Sequence, residues 1–205
     1  MAKRPTNPYR RPDRFTRQAK EEGYAARSVY KLREIDERLR VLRPGQRVVD
    51  LGCSPGSWLV YAAERVGVSG VVLGVDITEP AAKPGPVLVK SVLEVTPDEV
   101  LAVLGAPADL VLSDMAPSTT GDPTGDHYVQ IELATAALTL ARQVLGPGGA
   151  FVCKVFDGQD APAFVDAVRA SFGQVKRYRP EAVRQNSREF FVVGTAFRPG
   201  PASPG

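Results

Sequence analysis

"VVDLGCSPGSW", residues 48–58, packs a strand, a turn and the start of a helix into one short stretch. Val48, Val49 and Leu51 surround a single aspartate, Gly52 and Gly56 bracket a turn that contains Pro55, and Ser57-Trp58 opens an apolar pattern at helical spacing. In an open α/β sheet such a turn lies at the carboxyl end of a strand, where ligands bind. Its glycines let backbone approach the ligand without side chains in the way. The spacing is not G-x-G-x-x-G and Pro55 interrupts it, which argues against a pyrophosphate cradle and so against a nicotinamide-dependent dehydrogenase. A nucleoside-like ligand without phosphates remains, and S-adenosylmethionine is the common one. Asp76 closes the next apolar run, 24 residues after Gly52, where a carboxylate can accept hydrogen bonds from both hydroxyls of a ribose.

Outward from this corner, short apolar runs alternate with helical patterns. Strands are expected at 47–51, 70–76, 86–90, 108–114, 149–156, 173–179 and 189–197, and helices at 57–66, 97–104, 127–145 and 160–171. "SVYKLREIDERL" (28–39) adds an earlier helix, with Val29, Leu32, Ile35 and Leu39 on one face and Ser28 as its cap. Apolar strands separated by helices read as a mostly parallel sheet of βαβ units with helices on both faces. The last two strands have no helix between them and are expected to pair antiparallel at one edge. "LSDMAPSTTGD" (112–122) follows the fourth strand and places Asp114 at its carboxyl end, with the polar residues 118–126 available as a lid.

At 205 residues the chain fits one domain with an adequate core. No apolar run approaches a membrane span, and the basic N-terminus lacks the apolar stretch of a signal peptide, so a cytoplasmic protein is expected. Cys53 and Cys153 fit a reducing compartment and suggest no metal site. A Ser-His-Asp hydrolase would have to rest on His127, the one histidine, and no G-x-S-x-G elbow accompanies it. The net charge of +3 conceals an asymmetry: residues 1–20 carry +6 and the remainder −3. A mobile basic tail over 1–20, a single domain over 21–197 and a disordered tail over 198–205 are therefore expected, the first suited to a polyanion such as nucleic acid.

"RSVYKLREID" (27–36), "VVDLGCSPGSW", "LSDMAPSTTGD", "FVCKVFDG" (151–158) and "NSREFFVV" (186–193) occur in order. Together they resemble the FtsJ-type (RrmJ-like) ribosomal RNA 2′-O-ribose methyltransferases over roughly residues 20–197. The resemblance implies a Rossmann-like, seven-stranded methyltransferase fold and S-adenosylmethionine as cofactor. It implies methylation of a uridine ribose in the A-loop of large-subunit ribosomal RNA, on the assembled subunit, by a protein expected to be a monomer. Related branches act on tRNA, and an idle RNA-binding assembly factor would share the fold. The family's Lys-Asp-Lys-Glu set is filled by Lys31, Asp114, Lys154 and Glu189, and its cofactor contacts fall on Gly56, Trp58, Asp76 and Asp114, beside Gly52 and Pro55 of the same loop.

Those residue types suit the chemistry. A ribose hydroxyl is a poor nucleophile that must lose a proton as it attacks, so a positioned base helps. Lys154 is otherwise hard to explain, because "FVCKVFDG" is a core strand and a buried ammonium is costly. Beside Lys31 and a sulfonium, a lysine in a partly dry site is pushed towards its neutral form, which makes Lys154 the expected base or hydroxyl-orienting group. Asp114 and Glu189 would hold the two lysines. One position departs from the family: where an acid often follows the third strand, this chain has Val92, leaving the adenine contact to backbone, to Glu94, or absent. Arg27, Arg33, Lys176, Arg177, Arg179, Arg184 and Arg188 are expected to meet RNA phosphates.

Overall fold

The computed structural model describes residues 13–117 and 123–200, with only the backbone of Pro123 and Thr124. The expected tail residues 1–12, the lid residues 118–122 and the tail residues 201–205 lie outside the described residues.

Seven strands form one sheet: β1 (Arg47–Leu51), β2 (Val71–Asp76), β3 (Val87–Val89), β4 (Ala108–Ser113), β5 (Leu145–Phe156), β6 (Phe172–Tyr178) and β7 (Glu189–Phe197). Their spatial order is β3-β2-β1-β4-β5-β7-β6. The first five are parallel, while β7 runs antiparallel between β5 and β6. The order reverses between β1 and β4, so the turn after β1 and the segment after β4 flank the crevice where such sheets bind ligands. The expected antiparallel pairing of the last two strands is present, with β7 inside the sheet rather than on its rim.

Helices α1 (Arg14–Glu21), α2 (Val29–Leu39), α3 (Ser57–Val66), α4 (Pro97–Leu104), α5 (Pro123–Val144) and α6 (Ala161–Arg169) cover the two faces. Local sequence accounts for several ends. Thr96 and Glu99 form a reciprocal capping box around α4 with Pro97 in its first turn, and Gly105 closes it in a left-handed conformation. Strand alternation divides the core: Phe151, Cys153 and Val155 of β5 face α5 and α6, whereas Val152 packs with Leu32, Trp58 and Phe191 on the α2–α3 face. Lys154 lies in phase with Val152 and so points to the α2 side.

Residues 14–20, expected as part of a mobile tail, belong to α1. Asp13 caps it by accepting the Thr16 N–H at 2.8 Å, Ala19 is buried, and Phe15 packs on Tyr30 at 5.5 Å between ring centroids. Asp13 also pairs with Arg27. The apolar pair Phe15 and Ala19, four residues apart behind a capping aspartate, is the signal that the excess of basic residues masked.

Candidate active site

Lys31, Asp114, Lys154 and Glu189 come from four elements and meet at the carboxyl end of the sheet. Lys154 rides on β5 opposite Phe191 of β7, and Phe156 is opposite Glu189, so the antiparallel register starts β7 where β5 ends. Lys154 Nζ donates to the backbone carbonyl of Asp114 at 2.6 Å and lies 3.1 Å from its Oδ1. Lys31 Nζ approaches the same Oδ1 at 3.6 Å and pairs with Glu189 Oε1 at 2.7 Å. Among the described residues no aligned hydrogen bond reaches Asp114 Oδ1, which lies within 3.6 Å of the Nζ atoms of both lysines.

All four side chains are largely withdrawn from solvent, Lys154 to 5 % exposure. Burial opposes the charge on Lys31, but Asp114 and Glu189 outweigh it and hold the ammonium above the ordinary lysine range. Lys31 is thus a fixed cation, fastened to an acid on each side and set 5.9 Å above the Phe191 ring.

A cavity of about 400 Å³ adjoins this cluster at the switch point. Gly52, Asp76 and Asp114, three of the residues expected at the cofactor, line it. Gly52 has φ +78°, and a Cβ there would fall 2.5 Å from the Met115 side chain. Gly56, at φ +114°, would place one 2.8 Å from the Ala82 carbonyl. Both positions therefore exclude side chains, and the loop closes tightly on the segments after β2 and β4. Asp76 fastens it further by accepting Ser54 N–H at 2.9 Å and Thr78 N–H at 2.8 Å, one on each oxygen, with a second lone pair on each left over.

The family model of FtsJ-like methyltransferases matches residues 24–197. The chain belongs to the FtsJ-like methyltransferase family. It is 49% identical over 197 residues to a Sorangium cellulosum protein named ribosomal RNA large subunit methyltransferase E, covering 95% of this chain and 92% of that protein. A Desulfosudis oleivorans protein of the same name is 46% identical, with 95% of each chain covered. The fold is also that of a crystallised Plasmodium falciparum ribosomal RNA methyltransferase candidate, with a TM-score of 0.75 at 24% identity, covering 85% of this chain and 98% of that one.

Within this FtsJ-like site, Pro55, Gly56 and Trp58 do not line the cavity. The Trp58 indole is turned into the core, donating to the Ser28 carbonyl at 2.8 Å and packing against Phe191. It ties α3 to the start of α2 and so to Lys31. Ser91, Val92, Ile77 and Leu133 do line the cavity, whereas Glu94 does not. Sequence reasoning reached Val92 by spacing and missed Ser91 beside it. Ile77 is 74% exposed, and its place directly after Asp76, the carboxylate that ends β2, is the sequence signal that could have found it.

Two arginines expected on RNA are engaged elsewhere. Arg33 pairs with Glu22 at 2.8 Å and lies over the rings of Tyr24, Tyr30 and Tyr61 at 5.1–5.8 Å, locking α1 and α2 to α3. Arg177 pairs with Asp157 and stacks 4.0 Å over Phe190. His127 braces the turn after β5: its Nε2 accepts the Asp160 N–H at 3.4 Å, and Gly158 is the only size that fits beneath the ring, since a Cβ would fall 2.5 Å from it. Both cysteines are buried and unpaired, with burial pushing each thiol up to about 12. Among the described residues no group of three or more metal-ligating side chains gathers, and no helix is long and apolar enough to cross a membrane.

Proposed function

We propose that the protein transfers a methyl group from S-adenosylmethionine to a ribose 2′-hydroxyl of large-subunit ribosomal RNA, with an A-loop uridine on the assembled subunit as the target. One observation carries this reading: two lysines and two acids converge beside a cavity whose glycine turn admits no side chain. The names of the relatives support ribosomal RNA as the substrate.

The residues present fit that cofactor. The Asp76 lone pairs suit the ribose hydroxyls, the main chain at Gly52 suits close approach, and Ser91 with the backbone at Val92 suits the adenine edge. When bound, S-adenosylmethionine supplies a methyl group made electrophilic by its sulfonium. The protein's part is to aim the acceptor and handle one proton. Lys31 is held as an ammonium by two acids, and the role of proton acceptor is assigned to Lys154, whose Nζ reaches the site from β5 against Asp114. As the ribose oxygen gains its methyl, the hydroxyl proton passes to Lys154 Nζ, and Asp114 then stabilises the ammonium that forms. Lys31 and Glu189 fix the geometry and the net charge around it.

RNA reaches the cluster through a cleft of about 350 Å³ between the start of α2 and the segment before β7. Arg27, Lys31 and Arg184 line it, and the charges of Arg27 and Arg184 repel each other there. Such a cationic mouth suits a phosphate of the strand that carries the target ribose. The protein works in the cytoplasm, as a monomer, where ribosomal subunits are assembled.

The test is mass-spectrometric mapping of 2′-O-methylated nucleotides in ribosomal RNA and tRNA from cells with and without the protein. Loss of one large-subunit ribose methyl, restored by the wild-type gene and not by Lys154→Met, is the expected result. An unchanged map, or loss confined to tRNA, overturns the reading.

A further inference from the structure

The sequence suggests Arg179 as a phosphate contact, and the structure gives it other work. It is the first residue after β6, and its guanidinium is spent on the chain that follows. Nη1 donates to the Glu189 carbonyl at 3.0 Å, while Nη2 donates to the Ser187 carbonyl at 2.6 Å and reaches the Arg184 carbonyl at 3.4 Å. Three main-chain acceptors along one segment are thus gathered by one planar fork, a geometry a lysine ammonium at the end of a flexible stem does not reproduce.

The near end of this connection is fastened to α2. Tyr178 donates its hydroxyl to Glu34 at 2.6 Å, the Glu181 N–H donates to the same carboxylate at 2.8 Å, and Arg27 donates to the Ala182 carbonyl. Ala182 and Val183 are buried with the α2 side chains. The far end leads into β7, where the Asp157 N–H donates to the Arg188 carbonyl. Residues 179–189 therefore form a hydrogen-bonded bridge from the helix that carries Lys31 to the strand that carries Glu189, with three of its carbonyls gathered by Arg179.

We propose that Arg179 is a positioning residue for methyl transfer: by folding residues 184–189 it delivers the Glu189 carboxylate to Lys31. This rests on the reading that the Lys31–Glu189 pair serves methyl transfer. Misplacing a group by about 1 Å costs on the order of a hundredfold in rate, so loosening the segment acts on turnover before it acts on binding.

The experiment compares wild type, Arg179→Lys, Glu189→Gln and the double variant, all as full chains. Single-turnover methylation of large ribosomal subunits is read beside cofactor affinity by calorimetry, thermal unfolding, and the salt dependence of RNA binding. The expected result is a roughly 10- to 100-fold slower methyl transfer in Arg179→Lys, with cofactor affinity, RNA affinity and salt slope unchanged. Because Arg179 acts through Glu189, adding Arg179→Lys to Glu189→Gln should cost nothing further. A rate kept in Arg179→Lys overturns the proposal, as does an additive loss in the double variant, which would mark a merely structural role. A salt slope that drops by about one with the rate retained would make Arg179 a phosphate contact. Absence of methyl transfer by the wild type would instead refute the proposed function, independently of this inference.

Discussion

Lys154 reaches Asp114 twice, through the backbone carbonyl at 2.6 Å and through the carboxylate oxygen at 3.1 Å. The strand that carries the proposed base and the segment that lines the neighbouring cavity are thereby registered to each other by one side chain. Lys154→Met keeps the length and apolar stem of the side chain and removes the proton acceptor. We expect it to fold, to bind S-adenosylmethionine within about twofold of wild type, and to lose roughly 10²- to 10⁴-fold in methyl transfer. Near-normal single-turnover rates would refute the assignment of the base.

Asp50 of β1 is fully buried, and among the described residues neither of its oxygens has a hydrogen-bond partner. Burial first, then the nearby charges of Asp114 and Asp76, holds its carboxyl well above the usual carboxylate range. The sign follows from linkage. In the unfolded chain an aspartate ionises near pH ~3.9, and between that pH and the raised folded value the unfolded state binds fewer protons. Stability therefore falls as pH rises through that window, by at most about 1.4 kcal/mol per pH unit. Asp50→Asn removes this loss. Denaturant unfolding at pH 5 and pH 7 should show the variant gaining on wild type as pH rises, and a constant difference would contradict a protonated Asp50.

Val92 lines the cavity where an acid would meet an adenine amino group. Val92→Asp should tighten S-adenosylmethionine binding by about tenfold, the value of one hydrogen bond of ~1.4 kcal/mol to a charged acceptor. Calorimetry decides the matter. Equal or weaker affinity would mean that Ser91 or the main chain already fills that role.

Arg184 lines the cationic cleft and faces Arg27 there. Arg184→Gln should reduce the slope of log affinity for RNA against log salt by about one and leave cofactor binding alone. A slope equal to wild type would remove the phosphate from this cleft.

Most of the frame was legible because it rests on short-range physics. The glycine turn, the two-sided apolar strands and the Thr96–Glu99 cap each follow from neighbouring residues. Lys154 was legible for the opposite reason, as a charge that the strand pattern forbids. The misreadings concern long side chains, whose partners lie far away in sequence. Arg33 looked like a free helix cation and is enclosed by tyrosines from α2, from the segment before it and from α3. Arg179 looked like one more member of a basic run and instead organises a loop. Trp58 follows the cofactor turn in sequence, yet helical geometry carries its ring into the core. Composition gave α1 the character of a tail, when two apolar residues on one face were enough to dock it.

The placement of β7 has a consequence for the order of events during synthesis. The strand that fills an interior slot of the sheet is the last one the ribosome delivers, after both of its future neighbours have emerged. Until it enters, β5 and β6 each present an unpaired edge. One of the two acids that fasten Lys31 is then missing, because Glu189 is the first residue of that strand. Insertion of one strand seals the sheet and brings Glu189 to Lys31 in the same step, so under the proposed function a nascent chain is not catalytically complete before it is structurally closed.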